Sequence, residues 1–338
     1  MGTINRQWLL RRRPQGIATT EDFEYREMEI SITQDLAPGE LLLRNRVFLC
    51  APTMRNWMNP PADNLYPSMS LGDPVMAPAG CEVIASNRPG VAPGTLVTTF
   101  ASWQDYQRMG ASHAVAQLPA GVDLLDAMGV LGVNTLTAYF GVLRVGRPRR
   151  GDTLVVSGAA GSTGSMAAQI GKMQGCRVIG ITGGAAKCRW LLDELKLDGA
   201  VDYKAGDLIQ QLRDACPKGI DVFYDNVGGE ILQAAVEVMN RKGRIVLCGQ
   251  IAGYNDAQPT TGLRNMMRLV YGSITVQGFL QRDYADEVPA ASAELRTWFA
   301  AGKLNARVDA RPGFMQIPQT FSALFRGENA GTLLALVD

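Results

Sequence analysis

Leu154-Val155-Val156-Ser157-Gly158-Ala159-Ala160-Gly161-Ser162-Thr163-Gly164, continued by a helical run from Ser165 to Gln174, is the stretch that decides the fold. A short apolar, β-branched run that stops at small residues and restarts as helix reads as the strand, turn and helix of a dinucleotide-binding unit. Ala159, Gly161 and Gly164 match the G-x-G-x-x-G spacing, with alanine at the first glycine. In that reading the first position permits the tight turn and the second lets backbone N–H groups approach a pyrophosphate. The third lets helix pack on strand, and the helix N-terminus adds a positive dipole. Similar turns occur in sheets that bind nothing, so the context decides. Further strand-like runs at Cys176 to Ile181, Gly219 to Asp225 and Gly243 to Cys248, with a helical segment at Leu208 to Ala215, give the alternation that parallel βαβ units require.

With 338 residues, 46% hydrophobic and 19% charged, the chain can bury one or two cores, and two domains are expected. Its 33 basic and 32 acidic residues leave a net charge of +1, which points to neither nucleic acid nor a membrane surface. The basic run Arg11 to Arg13, ending at Pro14, reads as a solvated hairpin, with a targeting or phosphate-binding patch as the alternative. No stretch approaches the roughly 20 apolar residues that span a bilayer, and the N-terminus lacks the apolar core of a signal peptide, so a cytoplasmic protein is expected. Cys50, Cys81, Cys176, Cys188, Cys216 and Cys248 are scattered without a C-x-x-C pair and read as free thiols in a reducing compartment.

Residues 4 to 50 alternate apolar runs (Gln7 to Arg11, Phe23 to Ile32, Glu40 to Cys50) with turn signals, as in a small antiparallel entry sheet. Pro52 to Pro78, rich in Pro, Met, Asn and Ser, reads as a long loop of the kind that lines a site. Gly80 to Ala85 and Thr95 to Phe100 read as strands, an irregular segment follows through Ser112, and His113 to Leu118 is strand-like. Asp123 to Gly146 is helical with a break at Gly132-Val133-Asn134-Thr135. Beyond Cys248 come a polar loop (Ile251 to Arg264), a helix (Met266 to Tyr271), a strand (Ser273 to Leu280) and a strong helix (Ala285 to Ala301). Leu304 to Asp338 returns to strand, turn and strand. These shifts predict a β-rich domain at 1–129 with 305–338 and a nucleotide-binding domain at 130–304.

A site for NAD carries an acid about 20 positions beyond the glycines to hold the ribose hydroxyls. Here that place reads Thr182-Gly183-Gly184-Ala185-Ala186-Lys187-Cys188-Arg189, without an acid. Lys187, with Arg189 nearby, offers positive charge to a 2′-phosphate, so NADPH is the expected cofactor; a lysine decorating a helix is the alternative. The single histidine, His113, reads as a packed or surface residue, and neither a cysteine quartet nor a G-H-E motif offers a zinc site. Reduction without a metal Lewis acid favours an activated double bond, hydride going to the β-carbon while hydroxyl donors hold the enolate oxygen. Tyr254, at the carboxyl edge of the predicted sheet, is either such a donor or a loop aromatic packed on apolar neighbours.

Together these residues resemble the zinc-independent medium-chain dehydrogenase/reductase superfamily, and within it the prostaglandin reductase and alkenal double-bond reductase family with its bacterial curcumin reductase-like members. The resemblance covers nearly the whole chain, through Arg46 to Arg55, Leu136-Thr137-Ala138-Tyr139-Phe140-Gly141, the glycine fingerprint, and Asp225-Asn226-Val227-Gly228-Gly229-Glu230. It continues through Gly243 to Gly249 with Tyr254-Asn255, and Arg326-Gly327-Glu328-Asn329. It implies an α/β fold, a doubly wound parallel Rossmann sheet plus a β-rich, GroES-like substrate domain, and a homodimer joined near Ser273 to Leu280. It further implies that Ser162, Thr163, Gly164 and Ser165, following Gly161, face the pyrophosphate and that Lys187 and Tyr203 meet the 2′-phosphate. Thr137 would lie near the nicotinamide, and Asn226, Cys248, Gly249, Tyr254, Phe279 and Asn329 would line the cofactor. Tyr254 would hold the substrate oxygen or help protonate the α-carbon.

The chain departs from the family pattern at three places. D-P-Y-M-R stands as Ala51-Pro52-Thr53-Met54-Arg55, M-P-G as Val133-Asn134-Thr135, and the lysine of the last G-K pair as Thr332. Thr53, Arg55 and Asn134 are therefore the expected residues of a reshaped, more polar pocket. The expected activity is NADPH-dependent reduction of the C=C bond of α,β-unsaturated aldehydes or ketones, with no metal. Quinone reduction and a low-turnover NADPH-binding redox sensor stand beside it.

Overall fold

The structure, a computed structural model, describes residues 2–32, 35–61, 67–256 and 262–337. The chain divides into two units, Met1–Met128 with Val308–Asp338, and Gly129–Arg307.

In the first unit, β1 (Gly2–Leu10) and β2 (Phe23–Ser31) form an antiparallel pair in which Trp8 faces Tyr25. Then follow β3 (Leu41–Leu49), α1 (Met54–Trp57), β4 (Met76–Ser86), β5 (Leu96–Ser102), β6 (Tyr106–Met109), β7 (Ala116–Gln117) and α2 (Leu124–Met128). The strand-like text at His113 to Leu118 pairs with β5 only over β7. Conversely, β6 falls in the segment expected to be irregular, because its partners are remote: it pairs with β3, and the Tyr106 amide donates to Asn5 Oδ1 at 2.9 Å. The basic run is not a solvated hairpin throughout. Arg12 pairs with Asp22 and Glu21, and Arg13 donates to the carbonyls of Met58, Asn59 and Met69.

In the second unit, α3 (Val133–Phe140) continues as a wider turn over Gly141–Gly146. The expected break at 132–135 instead falls at 129–132, with Gly132 as N-cap and Val133-Asn134-Thr135 as the first turn. There follow β8 (Thr153–Ser157), α4 (Ser162–Met173), β9 (Arg177–Thr182), α5 (Ala185–Asp193), β10 (Gly199–Asp202), α6 (Leu208–Ala215), β11 (Ile220–Asp225) and α7 (Gly229–Val238). The unit is completed by β12 (Met239–Leu247), α8 (Met266–Gly272), β13 (Thr275–Gly278) and α9 (Val288–Ala300). The strands form one parallel sheet in the order β10-β9-β8-β11-β12-β13. The four-residue β10 is too short to announce itself by periodicity, and α7 begins at a pair of glycines that read as loop.

This sheet is covered on both faces, which is why β8 is an unbroken apolar run. Leu154 and Val156 point into a core with Met166, Ile170, Val178 and Tyr224, while Val155 points into the opposite core with Ile179, Phe223 and Ile245. Each such side chain contributes about 1.5–3 kcal/mol of hydrophobic stabilisation. Helix α4 is buried from Gly164 to Gly171. A Cβ on Gly171 would stand 2.2 Å from Leu154 Cδ2, so glycine is what lets α4 lie directly on β8.

The chain then re-enters the first unit with β14 (Val308–Pro312), α10 (Ile317–Arg326) and β15 (Thr332–Leu336), completing a sheet ordered β14-β15-β3-β4-β5-β7. The strand-turn-strand expectation for 304–338 missed α10. Its signals are Pro318 in the first turn, buried Ile317 and Phe321 at helical spacing, and left-handed Gly327 (φ 69°) at the end.

Candidate functional site

The turn after β8 is sharper than its sequence implies. Gly158, not the residue at the first fingerprint position, takes the left-handed conformation (φ 60°), and its carbonyl accepts the Gly161 amide at 2.9 Å. Ala159 is instead a packing residue, fully buried against Gly180. A Cβ on Gly164 would lie 2.3 Å from the Gly158 carbonyl oxygen, so the start of α4 touches the turn backbone to backbone. Gly161, Ser162 and Thr163 remain partly exposed at the helix N-terminus, where the amides of Thr163 and Gly164 have no preceding turn to bond. Ser165, expected on the same face, is 2% exposed and spends its hydroxyl on the Ser162 carbonyl. Asn134 reaches this turn from α3: its Nδ2 donates to Ser162 Oγ at 2.9 Å.

The ends of β8, β11 and β12 are tied together by Asp225. Its fully buried carboxylate accepts from Ser157 Oγ at 2.7 Å and from the amides of Val227 and Gly228, while its carbonyl accepts the amides of Cys248 and Gly249. Burial pushes the carboxyl's pKa up against the opposing pull of these donors. Asn226 completes the knot, donating from its own amide to Ser157 Oγ and from Nδ2 to the Ser157 carbonyl.

Beyond β12, a short 3₁₀ turn at Ile251–Gly253 brings Tyr254 back over the strand end. The Gln250 amide donates to Tyr254 Oη at 3.1 Å, and a Cβ on Gly249 would stand 3.2 Å from the same oxygen. Left-handed Gly228 (φ 73°) makes room for Gln250, whose Cγ would be 2.6 Å from a Cβ there. Beneath this turn lies Tyr224, fully buried, whose hydroxyl donates to the Thr137 carbonyl and is hydrogen-bonded with the Cys248 thiol. Desolvation raises the Cys248 thiol to about 11. Thr137 returns its own hydroxyl to the Val133 carbonyl, and Phe279 packs with Tyr224 on Gly141, where a side chain would clash with both rings.

At the ends of β9 and β10 the site is cationic. Lys187, in the first turn of α5, has its pKa lowered by desolvation and by the charges of Lys204 and Arg307. Asp202 Oδ1 accepts the amides of Gly184 and Lys204, which lower its pKa and fix the loop carrying the cations. The Tyr203 ring covers Gly183, whose added Cβ would lie 2.9 Å from it.

Thr53, Arg55 and Asn329 belong to the other unit. Thr53 is the partly exposed residue before α1. Arg55 is 3% exposed and donates to the carbonyls of Pro14 and Gly16 and to Asn59 Oδ1, which pins α1 to the segment after β1. Asn329 Nδ2 donates to the Gly331 carbonyl. His113 Nε2 is 2.8 Å from the Phe100 carbonyl. Among the described residues, no group of three or more His, Cys, Asp or Glu side chains is placed to hold a metal ion, and no helix is long and apolar enough to cross a membrane. Sequence reasoning missed Gly158, Asp225, Tyr224, Lys204 and Arg307. Only the first two had a local signal, a glycine closing an apolar run and an Asp opening D-N-V-G-G.

Two family models match the chain: one described as the N-terminal domain of oxidoreductase over residues 6–117, and one described as zinc-binding dehydrogenase over residues 162–297. The chain is 34% identical to the NADPH-dependent curcumin reductase of Escherichia coli K12, covering 98% of this chain and 97% of that one. It is 30% identical to the NADP(+)-dependent 2-alkenal reductase of Nicotiana tabacum, covering 98% and 97%. The crystal structure of CurA in complex with NADPH from Vibrio vulnificus superposes with a TM-score of 0.91 at 35% identity, covering 98% of this chain and 99% of CurA.

Proposed function

The chain belongs to the zinc-independent medium-chain dehydrogenase/reductase family, and from that premise we propose that it is an NADPH-dependent reductase of the C=C bond of α,β-unsaturated aldehydes and ketones. Its residues suit the cofactor. The first-turn amides of α4 and the helix dipole face a pyrophosphate, and the cluster of Lys187, Lys204 and Arg307 awaits the extra phosphate that separates NADPH from NADH. The bound nucleotide supplies a hydride for the β-carbon, and the electron pair of the C=C bond moves toward the carbonyl oxygen. Tyr254 answers that charge: accepting the Gln250 amide polarises its O–H for donation to the developing enolate oxygen. A proton from solvent then completes the saturated product at the α-carbon.

The observation that carries this reading is the Tyr254 hydroxyl at the carboxyl edge of a sheet whose whole chain matches NADPH-dependent reductases. The test is NADPH oxidation against a panel of enals, enones and quinones, with products identified by mass. Saturated aldehydes or ketones are expected; turnover of quinones alone would sink the proposal. Tyr254→Phe is expected to lower kcat about 10²-fold while leaving the NADPH Kd unchanged.

The same reading includes a homodimer joined through β13 and a cytoplasmic setting that keeps six free thiols reduced. β13 is an edge strand with all four residues exposed, and α8 before it presents Met266, Met267, Val270 and Tyr271, the last 79% exposed. Unpaired edge amides beside apolar side chains favour strand addition by a second copy. A sedimentation mass of one chain would overturn this part.

A further inference from the structure

We propose that Gln169 is a positioning residue for the preference for NADPH: from α4 it holds the segment that carries Arg307 to the cationic end of the nucleotide site. Gln169 lies two turns into α4 and is 7% exposed. Its amide is spent on three bonds. Nε2 donates to the Ser165 carbonyl at 3.1 Å and to the Asn305 carbonyl at 2.9 Å, while Oε1 accepts the Asn305 amide at 2.7 Å. A backbone amide only donates, so the Asn305 N–H fixes which way the Gln169 side chain is turned. Two bonds exchanged with one residue copy the pairing between strands. A helix side chain here takes the place of a neighbouring strand, along a stretch, 303–307, that lies outside every helix and strand.

That hold sets a register. Leu304 is buried and Ala306 half-buried, and both pack on the core formed by Met166 and Ile170 of α4 with Leu191 of α5. The alternate residues, Asn305 and Arg307, are exposed. Slipping an extended segment by one residue exchanges its inner and outer faces, which would turn Arg307 toward the core and Ala306 toward solvent. The Gln169 bonds act on the main chain of Asn305, midway between the two apolar contacts, and oppose that slip. Arg307 then stands near enough to Lys187 for their charges to oppose each other. Two like charges, one of them on an exposed segment, gain by drifting apart into water. The buried amide of Gln169 resists that drift and keeps the guanidinium where it can share an anion with Lys187.

This inference rests on the NADPH reading, and the experiment separates the two. NADPH and NADH are titrated into the wild-type protein and into Gln169→Met, Arg307→Ala, the Gln169→Met/Arg307→Ala double variant and Asn305→Ala. Kd is read from nucleotide fluorescence and folding from thermal melting. Methionine keeps the volume of Gln169 and removes its three bonds. Arg307→Ala is expected to raise the NADPH Kd about 10-fold, the low end for a hydrogen bond to a charged group, and to leave the NADH Kd alone. Gln169→Met should show the same selective loss at about 3-fold, for a guanidinium misplaced rather than removed. The double variant should match Arg307→Ala, and Asn305→Ala should match the wild type, because only its main chain is held. An unchanged ratio of the two Kd values in Gln169→Met or Arg307→Ala, an equal loss on both nucleotides in Gln169→Met, or additive losses in the double variant overturns the inference alone. So does a Gln169→Met chain that no longer melts cooperatively, since Gln169 would then serve stability only. A wild-type protein that binds the two nucleotides equally, or binds neither, overturns the NADPH reading and this inference with it.

Discussion

At the carboxyl ends of β8, β11 and β12 the nucleotide site is made of backbone: a left-handed Gly158, a helix start touching a carbonyl at Gly164, and Asp225 gathering amides from two chain segments, 227–228 and 248–249. At the ends of β9 and β10 it is made of charge, carried on Lys187, Lys204 and Arg307 around a half-exposed tyrosine. The first region satisfies its buried polar groups internally and tolerates almost no change of shape. The second gathers like charges, and those of Lys204 and Arg307 lower the Lys187 pKa. On the reading proposed above, shape at the floor would select a dinucleotide and charge at the rim which one.

The contrast can be broken most severely at Gly164. Gly164→Ala places a Cβ against a carbonyl oxygen that cannot move without unwinding the turn, a cost of about 3 kcal/mol, and should abolish binding of NADPH and NADH alike. Thermal melting and titration with both nucleotides check it; a stable variant that keeps both affinities would deny the floor its role. Lys187→Ala is expected to weaken NADPH by about 30-fold, the equivalent of about 2 kcal/mol for a charge-assisted bond, and to leave NADH unchanged. An equal loss on both nucleotides would mean that rim and floor are not separable.

The pH dependence sharpens the same comparison. Lys187 titrates below the ordinary lysine value because its charge is desolvated and repelled. In the unliganded protein the charged form is thus the costly one, and its cost is relieved as pH rises through that lowered value. The 2′-phosphate prefers the charged form, so the preference for NADPH over NADH should decline as pH rises through that lowered value, earlier than for an unperturbed lysine. A flat ratio of the two Kd values would remove Lys187 from the rim. The smallest effect expected is at Thr135. Thr135→Val removes a buried hydroxyl without a partner and should stabilise the protein by about 1 kcal/mol in denaturant unfolding; a loss would show that the hydroxyl has a partner in solution.

What was legible in the sequence was what spacing and local chemistry encode. The β8 strand, the glycines and the Lys187 position lie within one βαβ stretch, and α6 is read with its observed bounds. Arg307 reaches the rim from the last residue of its unit, and no pattern around it announces a phosphate. Asp225 ends an apolar strand and looks like a solvent-facing turn until the amides of its own turn and of the 248–249 segment are seen on it. Arg55 reads equally well as a pocket residue or a structural one; only the carbonyls of Pro14 and Gly16 decide between them. The polar loop at 251–264 lies partly outside the described residues.

Burial raises the thiols of Cys50 and Cys81 to about 12 and those of Cys176, Cys216 and Cys248 to about 11. Enals and enones are soft electrophiles that alkylate thiolates, and a thiol titrating near 11 is ionised to about one part in ten thousand at neutral pH. A catalyst that collects such molecules lives at their highest local concentration. Burying Cys50, Cys81, Cys176 and Cys216, and raising the partly exposed Cys188 and Cys248 as well, makes resistance to alkylation a consequence of the fold.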